Sequence, residues 1–258
     1  METNVLDNDM LNNDKDGKSL QEILSGGYET NSVDYIKKGF EIFKQEAGSY
    51  IGFLLIIAIA YIVAGMIPFI GKFASIFLAP LGVGGFIMAK KIDKNEPHEF
   101  SNFFDGKNEY RDLVVMVLIQ SLIMWALMLV AIGPNGFLIT MGWKKMDMTD
   151  MNALMSMYAG MGKRFAIIWL PMIIISTMWI FSSMFIIFPK FKAWDAMEAS
   201  RKVVFKKFFN WLGFMFLLGL FNIAGAICLG VGLLVTIPSS MCAVYAAFED
   251  VVGTNVRP

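Results

Sequence analysis

Between Glu46 and Lys72 the chain carries no charged side chain, and between Lys207 and Glu249 it carries none either. Three further stretches, 73–89, 113–143 and 165–189, are equally free of charge. At 1.5 Å per residue, about twenty apolar residues cross the roughly 30 Å hydrocarbon core of a bilayer as a helix. A water-soluble helix of that length would place charges on its outer face every turn or two. The bulk composition agrees: 56% of the 258 residues are hydrophobic and 17% are charged, against about 25% charged in soluble domains. Mean hydropathy is +0.57. The fold class read from this is all-α, a polytopic transmembrane helical bundle.

The uncharged runs divide into about six spans, near 50–70, 73–89, 113–132, 165–188, 210–229 and 233–248. The third ends at the breaker "GPNG", Gly133 to Gly136. Six spans place both termini on one side. The 22 Lys and Arg residues then split seventeen to five, with only Lys72, Lys144, Lys145, Lys163 and Arg164 on the far side. By the positive-inside rule both termini are cytoplasmic. Residues 1–30 hold seven acids against Lys15 and Lys18 and lack an apolar core. They read as a disordered acidic cytoplasmic tail, not a secretory signal, with one short turn at "SLQEIL", where Ser19 and Glu22 fit a capping box. Residues 31–258 read as a single transmembrane domain. Cys228 and Cys242 both lie in apolar segments, and two such cysteines make neither a disulfide framework nor a zinc site.

Two basic amphipathic stretches precede spans. In 32–47, Val33, Ile36, Phe40 and Phe43 fall at near-helical spacing opposite Asp34, Lys37, Lys38, Glu41 and Lys44. In 191–209, Trp194, Met197, Val204 and Phe208 do the same. Both are expected to lie in the membrane interface. Shifting the chain by 161 residues brings Gly52 onto Gly213, Phe53 onto Phe214, Ile62 onto Ile223 and Gly71 onto Gly232, and a three-residue gap then brings Pro80 onto Pro238. Only four of twenty-two aligned span positions are identical, so the shared order of features carries the argument. That order is basic helix, span opening Gly-Phe, Gly turn, and short proline-bearing span. It suggests a parallel internal repeat, with units at about 32–91 and 193–250; the alternative is two similar membrane hairpins.

No Asp, Glu, Lys, Arg or His lies deep in any expected span. Such residues mark proton relays and ion-coupling sites, so carboxylate-driven transport is disfavoured. An intramembrane metalloprotease, which needs a His/Glu cluster, is disfavoured as well. Gln120 and Asn222 are the strongest polar groups within the spans, and each needs a partner in hydrocarbon. They read either as ligand-binding candidates or as interhelical hydrogen bonds. Pro80 and Pro238 interrupt matching short spans, which points to a transporter's site or to simple kinks. The basic cluster Arg201, Lys202, Lys206 and Lys207 abuts a membrane surface, where it sets topology or attracts anionic lipid. Six methionines from Met146 to Met161 would suit Cu(I), but the stretch from Met148 to Tyr158 also fits a surface amphipathic helix. No phosphate loop, nucleophile elbow or paired carboxylates appear in the sequence, so no catalytic residue, metal site or cofactor is assigned and no enzyme is expected.

The stretch "LAPLGVGGFIMAKKIDKNEPHEFSNFFDG" resembles the Pro…Gly-Gly hairpin and Phe-x-x-Phe-Phe-x-Gly loop of uncharacterised bacterial polytopic membrane proteins. The C-terminal stretch from "AMEASRKVVFKKFF" to "VYAAFEDVVG" is similar to their Ala-x-x-Ser, Val-Thr-x-Pro and Tyr-acid-Gly signature. This family is akin to the membrane domain found with some glycerophosphodiester phosphodiesterases, although the chain has no such catalytic domain. Bacteroidetes relatives often carry the name of carotenoid-cleaving oxygenases. That name implies four histidine ligands, and His98 is the only histidine. The resemblance implies a bacterial inner-membrane location. The role expected is a structural, interaction or lipid-associated membrane module whose partners are the bilayer, anionic lipids or another membrane protein, and not nucleic acid. The alternative is a small-molecule transporter or channel with a site between the two hairpin units.

Overall fold

The computed structural model describes the backbone of residues 19–67, 76–78, 80–140, 151–228 and 230–256. Every regular element among them is a helix. Four helical stretches are long and apolar enough to cross a membrane: Ala47–Met66, Phe100–Val130, Ile167–Ile187 and Phe208–Ile227. The chain divides into two compact units, one built from Met1–Met116 with Met178–Pro258 and the other from Val117–Thr177.

In the first unit α1 (Leu20–Gly26) opens with a capping box: the Ser19 amide donates to Glu22 Oε2 at 2.9 Å and the Glu22 amide donates to Ser19 Oγ at 3.3 Å. Gly27, at φ +73°, ends it. The stretch expected to be tail up to residue 30 is therefore structured from Ser19 onward. Ile23 is buried, and Tyr28 is anchored through its hydroxyl, which donates to the Val203 carbonyl and accepts from Trp211 Nε1. The rest of that expected tail, residues 1–18, lies outside the described residues.

Helix α2 (Ser32–Gln45) is capped by Asn31 and carries Asp34 in its first turn and Lys44 in its last, both favourable to the helix dipole. Glu46 (φ −132°, ψ 39°) breaks it before α3 (Ala47–Met66). After α4 (Gly84–Asp93) comes a 3-10 helix, Phe100–Glu109. It runs into α5 (Tyr110–Thr140), which is interrupted at Gly133 (φ 71°, ψ 173°), where the sequence places its breaker. Helix α6 (Met151–Met178) begins inside the methionine-rich stretch, whose residues from Met151 to Met161 are helical. Met146 and Met148 lie outside the described residues. Helix α7 (Ser182–Ile187) follows, then α8 (Ala193–Lys206), a break at Lys207 (φ −131°, ψ 48°), α9 (Phe208–Ile227) and α10 (Leu233–Val251).

The centre of the first unit is α10. From Cys242 to Phe248 every residue is at most 9% exposed, and a helix apolar on all sides belongs to a core. Helix α2 lies along it, burying Tyr35, Gly39, Ile42 and Phe43. At the crossing a Cβ on Gly39 would collide with the backbone nitrogen and Cα of Ala243. This changes the interfacial reading of α2. Its buried stripe is Tyr35–Gly39–Ile42–Phe43, whereas Val33 and Phe40 from the expected apolar face are exposed. Glycine and tyrosine do not register as apolar in a hydrophobic pattern, so the packing stripe was hidden in the sequence.

Aromatic rings fill the rest of this core. Phe53 stacks on Phe103 at 4.4 Å, with Tyr50 edge-on to the same ring. Phe181 meets Trp211 at 4.9 Å and Phe185 meets Phe248 at 5.2 Å. Such T-shaped and offset pairs contribute about 0.5–1.5 kcal/mol each beyond area burial. Gly84 lets α4 approach the Phe103 carbonyl more closely than any side chain would permit. Of the expected second span, residues 73–75 and 79 lie outside the described residues; the remainder includes the start of α4. The expected sixth span is α10, helical as foreseen but enclosed by protein.

The second unit, Val117–Thr177, comprises parts of α5 and α6. Pro171 lies within α6, and the hydroxyls of Ser176 and Thr177 donate to the carbonyls of Met172 and Ile173. Leu122, Val130, Ile167, Trp169 and Leu170 are exposed, as expected of a surface solvated by lipid rather than water.

Candidate functional site

Charged and hydroxylic side chains converge where the C-terminal ends of α4 and α10 meet α2. Asp93, the last residue of α4, accepts from Tyr245 Oη at 3.1 Å and pairs with Lys38 Nζ at 3.0 Å. Lys94 pairs with Glu249 at 2.5 Å, and the second oxygen of Glu249 accepts the Thr254 amide at 2.9 Å. Tyr35 Oη donates to Asp250 Oδ2 at 2.6 Å. Asp93 and Asp250 thus take a donor from another helix, and Glu249 takes one from the residue that follows α4.

The electrostatics follow from these contacts. The hydrogen bond to Glu249 raises the Lys94 ammonium above its ordinary range, against a smaller opposing effect of burial. Burial, then the Asp250 carboxylate, pushes the Tyr35 phenol well above its usual value. Both groups are therefore held in the protonated form that the clamp requires. Lys38 and Lys94 are nearly half exposed, and ion pairs of that kind contribute about 0–1 kcal/mol each. A hollow of about 220 Å³ beside the end of α10 is lined by Glu249, Asp250 and Asn255 with their neighbours. Its two carboxylates are the ones already engaged by Lys94 and Tyr35. The arrangement fastens three helices; it presents no unengaged acid or base to a substrate.

Two of the four ligand-binding candidates, Asn222 and Pro238, share the α9–α10 hairpin. In the α9–α10 hairpin, Asn222 Nδ2 donates to the Leu218 carbonyl at 2.8 Å and to Ser240 Oγ at 2.9 Å, while Ser240 Oγ donates to the Thr236 carbonyl. Asn222 Oδ1 and Thr236 Oγ1 are buried without partners. The hairpin closes tightly here, since a Cβ on Gly225 would strike Thr236. Pro238 is buried within α10, two residues from Ser240. Pro80 is buried elsewhere, its carbonyl against Gly106 of the 3-10 helix. Gln120 is half-buried on α5 and belongs to the other compact unit.

The basic cluster is also divided. Arg201 forks onto Glu198, with Nε to Oε2 at 2.8 Å and Nη2 to Oε1 at 2.6 Å, and Lys202 approaches the same carboxylate. The Arg201 fork first of all holds Glu198 below its usual range. Lys207 instead lies over the Tyr28 ring at 5.7 Å. The clamp of Asp93, Glu249 and Asp250 was missed in the sequence; its signal was acidic residues in the last turns of two helices that begin apolar. Among the described residues no cluster of three or more His, Cys, Asp or Glu could hold a metal ion. No protein-family model, curated protein or solved structure matches the chain.

Proposed function

We propose that the protein is a multi-pass scaffold of the bacterial inner membrane, a structural or interaction module rather than an enzyme or carrier. The observation that carries this reading is the backbone-to-backbone seam of α2 on α10 at Gly39 and Ala243. It fills the centre of the first unit with protein and leaves no room for a solute along that seam. The scattered positions of Asn222 and Pro80 support the same reading, because a single solute contacts neighbouring side chains. The resemblance to phosphodiesterase-associated membrane domains belongs to this proposal, as do six spans with both termini in the cytoplasm.

A parallel internal repeat is part of the proposal too. Ser32 and Ala193 stand 161 residues apart, as do Gln45 and Lys206, Ala47 and Phe208, and Met66 and Ile227. The intervening breaks at Glu46 and Lys207 share their dihedral angles within about ten degrees. Burial keeps the same register: Tyr35 with Ala196, Gly39 with Ser200, Ile42 with Val203, Tyr50 with Trp211 and Phe53 with Phe214 are buried at both members. This coincidence of boundaries and burial supports duplication more strongly than the sparse identities do.

Thiol accessibility tests the scaffold. In a chain whose own Cys228 and Cys242 have been replaced, Asn222→Cys and Ser240→Cys should resist a small water-soluble thiol reagent in intact membranes. Rapid labelling of both would reveal an aqueous path and overturn the reading in favour of transport.

A further inference from the structure

Helix α8 divides its surface sharply. Ala196, Met197, Ala199, Ser200, Val203 and Val204 are buried, whereas Trp194 and Phe205 are 64% and 63% exposed. On the exposed side Trp194, Glu198, Arg201 and Phe205 follow one another at helical spacings of four, three and four residues, so they form one continuous line. Beyond the break at Lys207, Phe209 is 82% exposed at the start of the spanning helix α9. Lys202 and Lys206 flank it and are exposed. From Lys192 to Lys207 five cations stand against Asp195 and Glu198, a net charge of +3.

We propose that this edge of α8 is a docking surface for anionic phospholipid headgroups of the surrounding bilayer. The inference rests on the membrane reading above and adds to it a site and a ligand chemistry. Three lines of chemistry converge on that occupant. Large exposed aromatic rings at the end of a spanning helix have their most favourable surroundings at headgroup depth, where one side of the ring is apolar and the other wet. Long Lys and Arg stems lie over apolar surface and lift their charges to the phosphate layer. Glu198 gathers Arg201 and Lys202 into one cationic head in the middle of the line, between two aromatic ends that dip on either side. A planar guanidinium held by one fork still has N–H groups directed outward for phosphate oxygens. A neutral interface would accommodate the rings but would give the net positive charge no partner, and an acidic protein would not account for the continuity with the lipid-facing start of α9.

The full-length chain reconstituted in nanodiscs tests this with two readouts. Lipids brominated high in the acyl chain should quench Trp194, measured as the difference between wild type and Trp194→Phe. Bromines near the bilayer centre should quench it less. Native mass spectrometry should show phosphatidylglycerol retained over phosphatidylcholine by wild type. The variant Arg201→Gln, Lys202→Gln, Lys206→Gln should lose that preference by about a hundredfold, from roughly 1 kcal/mol for each of the three basic residues at an anionic surface. Equal retention of the two lipids by wild type, or an unchanged preference in the triple variant, would overturn the proposal while leaving the protein in its bilayer and the scaffold reading intact. Failure of bromolipids at any depth to quench Trp194 would mean that a protein occupies the edge, and would overturn it as well.

Discussion

Gly39 and Ala243 bring two helices together at a distance that leaves no room for a side chain on the first. Gly39→Leu should therefore destabilise the fold by about 1–3 kcal/mol or more, since the obstacle is backbone and cannot swing aside. Gly48→Leu, at an exposed position with nothing within 4 Å of a new Cβ, is the matched control and should leave the melting temperature in detergent nearly unchanged. Equal melting of the two variants would contradict the crossing.

Tyr35 and Asp250 should be energetically coupled. Removing the hydroxyl with Tyr35→Phe should cost about 0.5–1.5 kcal/mol, and a double-mutant cycle with Asp250→Asn should return an interaction of that order. The raised phenol adds a sign. A proton held more tightly in the folded state stabilises it fully below the unfolded tyrosine value near 10, and that contribution disappears as pH rises through the folded value. Ultraviolet titration should show one tyrosinate signal moving down on Asp250→Asn while staying above the ordinary range, because burial, the larger cause, remains.

Lys94 and Glu249 behave in the same direction. With the ammonium raised by its carboxylate partner, the pair stabilises at neutral pH and is lost as pH climbs beyond the usual lysine range near 10.4. Because Lys94 is nearly half exposed, Lys94→Met should cost under about 1 kcal/mol, and high salt should mask the difference. A salt-independent loss of several kcal/mol would contradict a screened surface pair.

Asn222 should act locally. Its replacement by Leu removes one interhelical hydrogen bond, worth about 0.6–2 kcal/mol in membrane bundles, but also releases the buried, unpartnered Oδ1. The net effect on stability should be below about 1 kcal/mol, and cell physiology dependent on the protein should survive. Loss of that physiology with a stable fold would point to a ligand at Asn222.

Topology is open to direct labelling. Gly26→Cys and Gly162→Cys place thiols where a new side chain meets nothing within 4 Å. With both termini cytoplasmic, a membrane-impermeant reagent should reach residue 162 in whole cells and residue 26 only after permeabilisation. The reverse pattern would invert the orientation.

Length and charge made much of this architecture legible. Uncharged runs announced the spanning helices, the Gly133 breaker was placed correctly, and Ser19 with Glu22 announced the first cap. Partners were harder to read. Helix α2 has two apolar edges, and the periodicity singled out Val33 and Phe40, which face outward, because the inward edge is interrupted by Gly39 and begins with the polar Tyr35. Asp93 and Asp250 read as ordinary charges at helix ends, since the groups that engage them lie 55 to 215 residues away in sequence. An amide within a span signals that it needs a partner but does not name Ser240. Pro80 and Pro238 matched in sequence, yet one packs on the 3-10 helix and the other within the α9–α10 hairpin.

The laying of α2 along α10 also sets an order of events during synthesis. About two hundred residues separate the two sides of that seam, so α2 leaves the ribosome long before the surface that will cover Tyr35, Ile42 and Phe43 exists. The early helix must wait, its inner edge sheltered by the bilayer or a chaperone, until Leu233–Val251 has been made. A transcript cut short before that helix would leave the waiting edge uncovered, a mark by which a membrane protease could recognise an unfinished chain.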